Sequence, residues 1–490
     1  MDVHVNLDRA KGGITDQIAS RLREAIREGR LAAGVRLPAT RELARDLGVS
    51  RGVVVEAYER LVAEGFLISR VGAGTRVAPA GVRPPGTAAR PPRRVRPYYG
   101  LRPTTPDLTG FPRERWLAAI KHVLATMPPD ALDYADPGGV EELREEIAGR
   151  LRRVRAADVH PDNVVIVGGV AQGLSLSVRA LAALASGSAV ARRARHDLDW
   201  FMERIRDGDG VPGAWPYPPS PSVRLAVEDP TSLRQIPLLR AAGAELVAIP
   251  VDEEGIDVAA LRRSGARAVL LTPAHQFPTG VVLSPRRRAA LMAWAAETGA
   301  MVVEDDYDAE FRFDRAPVGC LQGLAPDRVV LAGSVSKPLA PGLRLGWVVA
   351  PPSIAESVRV ARGELDLGSP VVEQYALAHL LRTGAYDRHL RRMRREYRRR
   401  RDALVEALAR HLPEVEVRGV PAGLHVYVEL PPEWDEAAVS RAAREAGLAA
   451  EEVGPMRTAP GPPAIIIGFA RLSAHRADPL VHALSRACRR

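Results

Sequence analysis

Gly333-Ser334-Val335-Ser336-Lys337-Pro338-Leu339-Ala340-Pro341-Gly342-Leu343-Arg344-Leu345-Gly346 is the stretch on which the reading of this chain turns. Its lysine is one of only three in 490 residues, with Lys11 and Lys121, against 66 arginines. Arginine therefore supplies positive charge almost everywhere else. An amine condenses with an aldehyde to a Schiff base, whereas a guanidinium stays protonated and does not. The segment reads as a strand running into a loop, with Ser334, Ser336 and Arg344 around the amine. Hydroxyls and a two-pronged guanidinium suit a phosphate group. Together these residues point to a pyridoxal 5'-phosphate site.

Working outward, apolar strand candidates at 163–167, 224–227, 268–271, 301–303, 329–331 and 345–349 alternate with helical segments such as 285–297. Such alternation predicts an α/β fold, a mostly parallel sheet with helices on both faces, and a ligand beyond the carboxyl ends of the strands. A smaller α+β portion follows from about residue 371, with a long helix at 389–408 and strands near 425–430 and 465–469. Asp305 and Tyr307 fall at the carboxyl end of the 301–303 strand. An aspartate keeps a pyridine nitrogen protonated, and a tyrosine hydroxyl bonds the ring's phenolic oxygen. The triplet Glu304-Asp305-Asp306 is also compatible with a metal site or a solvated turn.

The net charge of +10 is unevenly spread. Residues 1–79 hold 13 basic and 10 acidic side chains, and residues 80–106 hold 6 arginines and no acid. A positive end suits a polyanion partner. Seven prolines within 84–106 mark that stretch as an extended linker. Before it, Ile18, Leu22 and Ile26 have helical spacing, Gly29 ends that helix, and further helices are expected at 41–47 and 50–64. Residues 66–69 and 75–77 alternate as short strands joined through Gly72-Ala73-Gly74. This is a helix-turn-helix with a β-wing. Ser50 and Arg51 open the helix that would enter a major groove, and Arg36, Arg41, Gly74 and Arg76 suit phosphate contacts.

Two cysteines, Cys320 and Cys488, are too few for a disulfide framework or a zinc site. No structural metal is expected. Neither a basic leader followed by an apolar run nor about 18 consecutive apolar residues occurs, so a soluble cytoplasmic protein without membrane contact is expected.

Residues 14–78 closely resemble the GntR-type winged helix. The resemblance rests on residues 34–44, Leu47-Gly48-Val49-Ser50-Arg51, residues 57–65 and Gly72-Ala73-Gly74-Thr75-Arg76-Val77. It implies operator binding to double-stranded DNA as a dimer. Residues 108–472 resemble fold type I aminotransferases through Tyr134-Ala135-Asp136-Pro137-Gly138-Gly139, Glu228-Asp229-Pro230, residues 272–280, residues 304–311 and the lysine segment. The order winged helix (1–79), linker (80–106), aminotransferase-like domain (107–490, with 370–490 its small part) resembles the MocR subgroup of GntR regulators. By that resemblance Lys337 is the Schiff-base lysine, Asp305 the pyridinium partner and Tyr307 the ring-oxygen partner. His275 and Gln276 border the ring, and Ser334, Ser336, Arg344 and the Val170 and Ala171 amides hold phosphate. A domain-swapped homodimer and an amino acid or amine effector are also implied.

Departures from the pattern narrow the function. Ser232 stands where an aromatic residue stacks on the ring, and Gly169-Val170-Ala171-Gln172 lacks the hydroxyl at the phosphate helix. Ile466 replaces the arginine that holds a substrate carboxylate, with Arg471 only a nearby substitute. An insertion at 189–222 carries Trp215 and Tyr217, either as a surface excursion or as a replacement stack. The expected function is a DNA-binding transcriptional regulator that senses pyridoxal phosphate or its amine adduct. The alternatives are a working aminotransferase with an accessory DNA-binding domain, and a regulator whose second domain is only a dimerisation scaffold.

Overall fold

A computed structural model of the chain describes residues 7–9, 12–70, 74–79, 102–185, 222–314 and 318–489. The chain splits into two units, Met1–Tyr98 and Tyr99–Arg490. In the first, helices Ile14–Arg27, Thr40–Leu47 and Arg51–Ala63 precede strands β1 (Leu67–Arg70) and β2 (Gly74–Val77), which pair antiparallel. The four-residue spacing of Ile18, Leu22 and Ile26 puts all three on one helix face. They are fully buried against Leu43, Val54 and Leu61. Gly48 closes the second helix at φ 63, a left-handed conformation that glycine adopts without a Cβ penalty. Tyr58 Oη donates to the Pro38 carbonyl at 3.1 Å and ties the third helix to the turn before the second. The chain at Gly34–Leu37 adds to the wing, with Gly34 N bonding Val77 O and Leu37 N bonding Thr75 O, both at 2.9 Å. The expected turn at residues 72 and 73 lies outside the described residues.

The second unit is built on an eight-stranded sheet. Its strands are β3 (Val164–Val167), β4 (Val223–Asp229), β5 (Ala244–Asp252), β6 (Gly255–Ile256), β7 (Ala268–Leu271), β8 (Met301–Asp306), β9 (Val329–Ser334) and β10 (Gly346–Val349). Their spatial order is β3-β10-β9-β8-β7-β4-β5-β6. Strands β9, β8, β7, β4 and β5 run parallel, whereas β10 is antiparallel to both β3 and β9. The reversal at β10 follows from chain length, because residues 335–345 are too few for the crossover helix that a parallel return requires. Helix Val170–Ala185 covers one face through Leu174 and Leu181, and helix Pro285–Thr298 covers the other through Leu291 and Trp294. Four further antiparallel strands, β11 (Glu416–Arg418), β12 (His425–Glu429), β13 (Ala449–Glu452) and β14 (Ala464–Gly468), form the smaller sheet in the order β11-β12-β14-β13. Helices Ala385–His411 and Ala474–Cys488 pack with it.

Candidate cofactor site and nucleic-acid interface

The carboxyl ends of β8 and β9 bring Asp305, Tyr307, Ser334 and Lys337 to one region of the sheet. Strand β8 runs three residues beyond its apolar part because its acids have partners inside the protein. Glu304 and Asp306 face a buried arginine: Arg155 Nε and Nη2 each lie 2.9 Å from an Asp306 oxygen, and Leu321 N donates to Glu304 at 2.8 Å. Asp305, between them in a period-two strand, projects to the opposite face. It is 4% exposed, and its Oδ2 accepts from Gln235 Nε2 at 2.9 Å. Its other oxygen, Oδ1, is buried and has no hydrogen-bond partner among the described residues. Burial pushes the Asp305 carboxyl up to about 7, with Gln235 opposing the shift and Asp306 and Asp308 adding to it. A buried acceptor without a donor is unfavourable, and a charged donor such as a protonated ring nitrogen satisfies it.

Tyr307 Oη lies 3.0 Å from His275 Nδ1, which is also 2.9 Å from Asp308 Oδ2. Burial raises the Tyr307 pKa well above its usual range, and the Asp308 charge adds to that, so the phenol stays protonated as a donor. Gly423 makes this cluster possible: a Cβ there would lie 2.4 Å from His275 Cε1 and 2.5 Å from Asp308 Oδ2. His425 packs beside His275 with ring centroids 5.3 Å apart, and burial lowers its pKa to about 4, which keeps it neutral. Gln276 uses its amide within the loop. It donates to Pro230 O at 2.9 Å and Phe277 O at 2.8 Å and accepts from Thr279 N at 3.0 Å.

Lys337 Nζ donates to the Thr104 carbonyl at 2.8 Å. Burial lowers the Lys337 pKa, Asp308 and Asp305 oppose the shift, and Arg234 and Arg102 reinforce it. A lowered pKa enlarges the neutral, nucleophilic fraction of the amine at a given pH.

The phosphate candidates meet at the N-terminus of helix Val170–Ala185, where the first-turn amides of Val170 and Ala171 have no carbonyl partner within the helix. Gly169 has φ 101, and a Cβ on it would lie 3.1 Å from Arg344 Nη1 and 3.2 Å from Nη2. Gly346, paired with Ser334 across β9 and β10, would with a Cβ come within 2.9 Å of the Gly169 Cα. The two glycines thus let β10, the helix N-terminus and the Arg344 guanidinium approach one another closely. Ser334 Oγ accepts from Ser336 N at 3.3 Å. Where a hydroxyl was missing from the sequence pattern, Gln172 Oε1 accepts from Gly168 N at 2.6 Å and Gln172 Nε2 donates to Asp366 at 2.9 Å. Sequence reasoning gave no role to Gln172, Gln235, Asp308 or Thr104, whose partners are distant in the chain or in another motif.

At the two eroded positions, Ser232 is half-buried and accepts from Gln235 N at 3.1 Å. Ile466 is fully buried with Tyr427, Val453 and Met456, and Phe277 packs on that cluster. Apolar packing thus occupies the place of the carboxylate arginine. Arg471 is exposed, just past β14. Trp215, Tyr217 and nearly all of the 189–222 insertion lie outside the described residues. Among the described residues, no group of three or more His, Cys, Asp or Glu side chains is arranged to hold a metal, and no helix is long and apolar enough to cross a membrane.

In the first unit, Arg51 is exposed at the start of helix Arg51–Ala63, and the Ser50 hydroxyl before it makes no capping hydrogen bond. Arg41 is exposed in the first turn of the preceding helix. Arg36 pairs with Arg76 through a β-bridge, and Arg76 Nη1 donates to Gly34 O at 2.9 Å. Gly74, at φ 79, lies under the Arg36 guanidinium, and a Cβ there would come within 2.9 Å of Nε. The wing therefore concentrates two arginines on a backbone that only glycine fits.

A winged helix fused to a fold type I aminotransferase-like domain is the class that these elements define. Residues 14–77 match the family described as bacterial regulatory proteins, gntR family, and residues 220–486 match aminotransferase class I and II. The chain belongs to the MocR subgroup of GntR-family transcriptional regulators. It is 34% identical over 423 residues to the HTH-type pyridoxine biosynthesis transcriptional regulator PdxR of Corynebacterium glutamicum, covering 84% of this chain and 82% of that one. It is 30% identical to the probable rhizopine catabolism regulatory protein MocR of Rhizobium meliloti, covering 88% and 85%. Among solved structures it is similar to LysN, an α-aminoadipate aminotransferase from Thermus thermophilus. That match has a TM-score of 0.64 at 27% identity, covering 79% of this chain and 91% of LysN.

Proposed function

We propose that this regulator binds an operator through residues 14–78 and senses pyridoxal 5'-phosphate, or an amine adduct of it, at Lys337. The observation that carries the reading is the unpartnered buried oxygen of Asp305, near enough to the Lys337 amine for each charge to act on the other, on a lysine whose pKa burial lowers. When bound, the cofactor supplies an aldehyde carbon and a ring able to draw electrons. The chain supplies the rest. Asp305 holds a proton on the ring nitrogen, with Gln235 fixing the carboxylate. Tyr307, aligned by His275 and Asp308, offers its hydroxyl to the ring oxygen. Arg344, Ser334, Ser336 and the Val170 and Ala171 amides hold the phosphate.

The buried Ile466 favours sensing over turnover, because no guanidinium at that position is available to orient a substrate carboxylate. The regulator acts as a domain-swapped homodimer in the cytoplasm. Leu117 and Leu124, seven residues apart on helix Arg113–Thr126 and 55% and 58% exposed, give it an apolar stripe to cover. The regulatory effect requires that cofactor binding favours one arrangement of the dimer over another. Titration of the purified chain with pyridoxal phosphate is the test. A visible Schiff-base absorbance should appear and vanish in Lys337→Ala, and its absence from the parent chain would refute the proposal.

A further inference from the structure

Residues 102–106 are the end of the proline- and arginine-rich stretch that leads from the DNA-binding unit, and Asp107 follows them. Their far end is firmly anchored. Asp107 N donates to Tyr397 Oη at 2.9 Å, its Oδ2 lies 2.9 Å from Arg400 Nη2, and its Oδ1 accepts from Thr109 N at 2.9 Å. Their middle is seated on β14. Pro103 is buried, and a Cβ on Gly468 would lie 2.4 Å from the Pro103 carbonyl oxygen and 2.5 Å from its Cα. Between seat and anchor, the Thr104 carbonyl accepts from Lys337 Nζ at 2.8 Å, a bond between residues 233 positions apart.

That bond uses the very hydrogens that the sensing chemistry removes. Condensation of the neutral amine with an aldehyde forms a C=N bond and expels the carbonyl oxygen as water, which carries away both amine hydrogens. The nitrogen then holds at most one proton taken from solvent, and the adjoining ring oxygen competes for it. The Thr104 carbonyl loses its donor, and a half-buried acceptor without a partner is unfavourable unless it moves to water.

Resting on the reading that Lys337 takes up pyridoxal phosphate, we propose that residues 102–106 are a strap latched to the free Lys337 amine through the Thr104 carbonyl and released by condensation. The strap is continuous with the chain running to the winged helix, so release changes the anchoring of that chain at the domain it leaves. The Asp107 anchor stays in place.

Hydrogen exchange on the full-length protein tests this, with visible absorbance recorded in parallel. Pro103 and Pro106 carry no amide and the Thr104 N–H has no hydrogen-bond partner among the described residues, so Thr105, whose N donates to Arg102 O at 3.1 Å, reports the strap and Asp107 the anchor. Pyridoxal phosphate should speed exchange at Thr105 about tenfold, the equivalent of one hydrogen bond, and leave Asp107 unchanged. Pyridoxamine 5'-phosphate, which has the same ring and phosphate but no aldehyde, should leave both at their ligand-free rates. Lys337→Ala should exchange fast at the strap without ligand. Gly468→Ala should unseat Pro103 and also exchange fast, while still developing the absorbance. Absorbance without faster strap exchange overturns the latch and leaves the cofactor reading intact. Equal acceleration by pyridoxamine phosphate, or slow exchange in Lys337→Ala or Gly468→Ala, also overturns it. Absence of the absorbance in the parent chain refutes the cofactor reading and the latch together.

Discussion

Asp305→Asn should make the ligand-free protein more stable at alkaline pH while weakening its hold on pyridoxal phosphate. In the folded chain the Asp305 carboxyl is raised from 3.8 to about 7, chiefly by burial. The folded state thus binds more protons than the unfolded one between those values, and its stability falls as pH rises through that window. At 1.36 kcal/mol per pKa unit the full penalty is roughly 4 kcal/mol at pH 8 and about 2 at pH 5. Asparagine does not titrate. It keeps the Gln235 bond but buries an unmatched N–H, at about 1–3 kcal/mol, a term independent of pH. The variant's advantage over the parent should therefore grow by about 2–3 kcal/mol between pH 5 and pH 8, whatever its sign at pH 5. Thermal unfolding of both proteins at the two pH values measures that double difference. Loss of a charge-assisted bond to the ring nitrogen should weaken cofactor affinity by about 10- to 150-fold, corresponding to roughly 1.5–3 kcal/mol. A pH-independent stability difference, or unchanged affinity, would show that Asp305 is neither a buried charge nor the ring partner.

Because burial lowers the Lys337 pKa from 10.5, reaction with pyridoxal phosphate should accelerate with pH through a midpoint below that value; stopped-flow absorbance locates it, and a midpoint at or above it would count against the buried amine. Replacing Arg344 by Ala should raise the dissociation constant for pyridoxal phosphate about 10- to 100-fold but leave that for phosphate-free pyridoxal nearly unchanged, as equilibrium titrations with both ligands would reveal. Operator binding by Arg51→Ala should weaken by about 1–3 kcal/mol with relaxed preference at one base step, whereas Arg36→Ala should weaken all sequences alike and reduce the salt slope by about 1; competition assays across salt concentrations separate the two.

Where apolar residues and glycines set local structure, the sequence was legible. Strand β7 falls on the expected residues, and Ile18, Leu22 and Ile26 line the core of the first unit. Strand β8 was read too short because its last three residues are acids, and the groups that make them tolerable inside a sheet, Arg155 for Asp306 and Gln235 for Asp305, lie far off in sequence. Strand β5 was missed: Pro250 interrupts its pattern, and its half-exposed residues lack a clear period. Lys337, Asp305 and Tyr307 could be named because each carries chemistry that few other residues replace. Their supports could not, since Gln235, Asp308 and Thr104 are ordinary residues that gain meaning only from the contacts the fold imposes. At Ile466 the sequence indicated a lost arginine, and the structure adds that an apolar cluster has closed over its place.

The most direct test of the account is an operator titration at fixed salt, with and without pyridoxal phosphate, for the parent chain and Lys337→Ala. A coupling of about 5- to 150-fold in operator affinity is expected for the parent, and none for the variant. Equal affinity in all four titrations, alongside a fully developed cofactor absorbance in the parent, would contradict it.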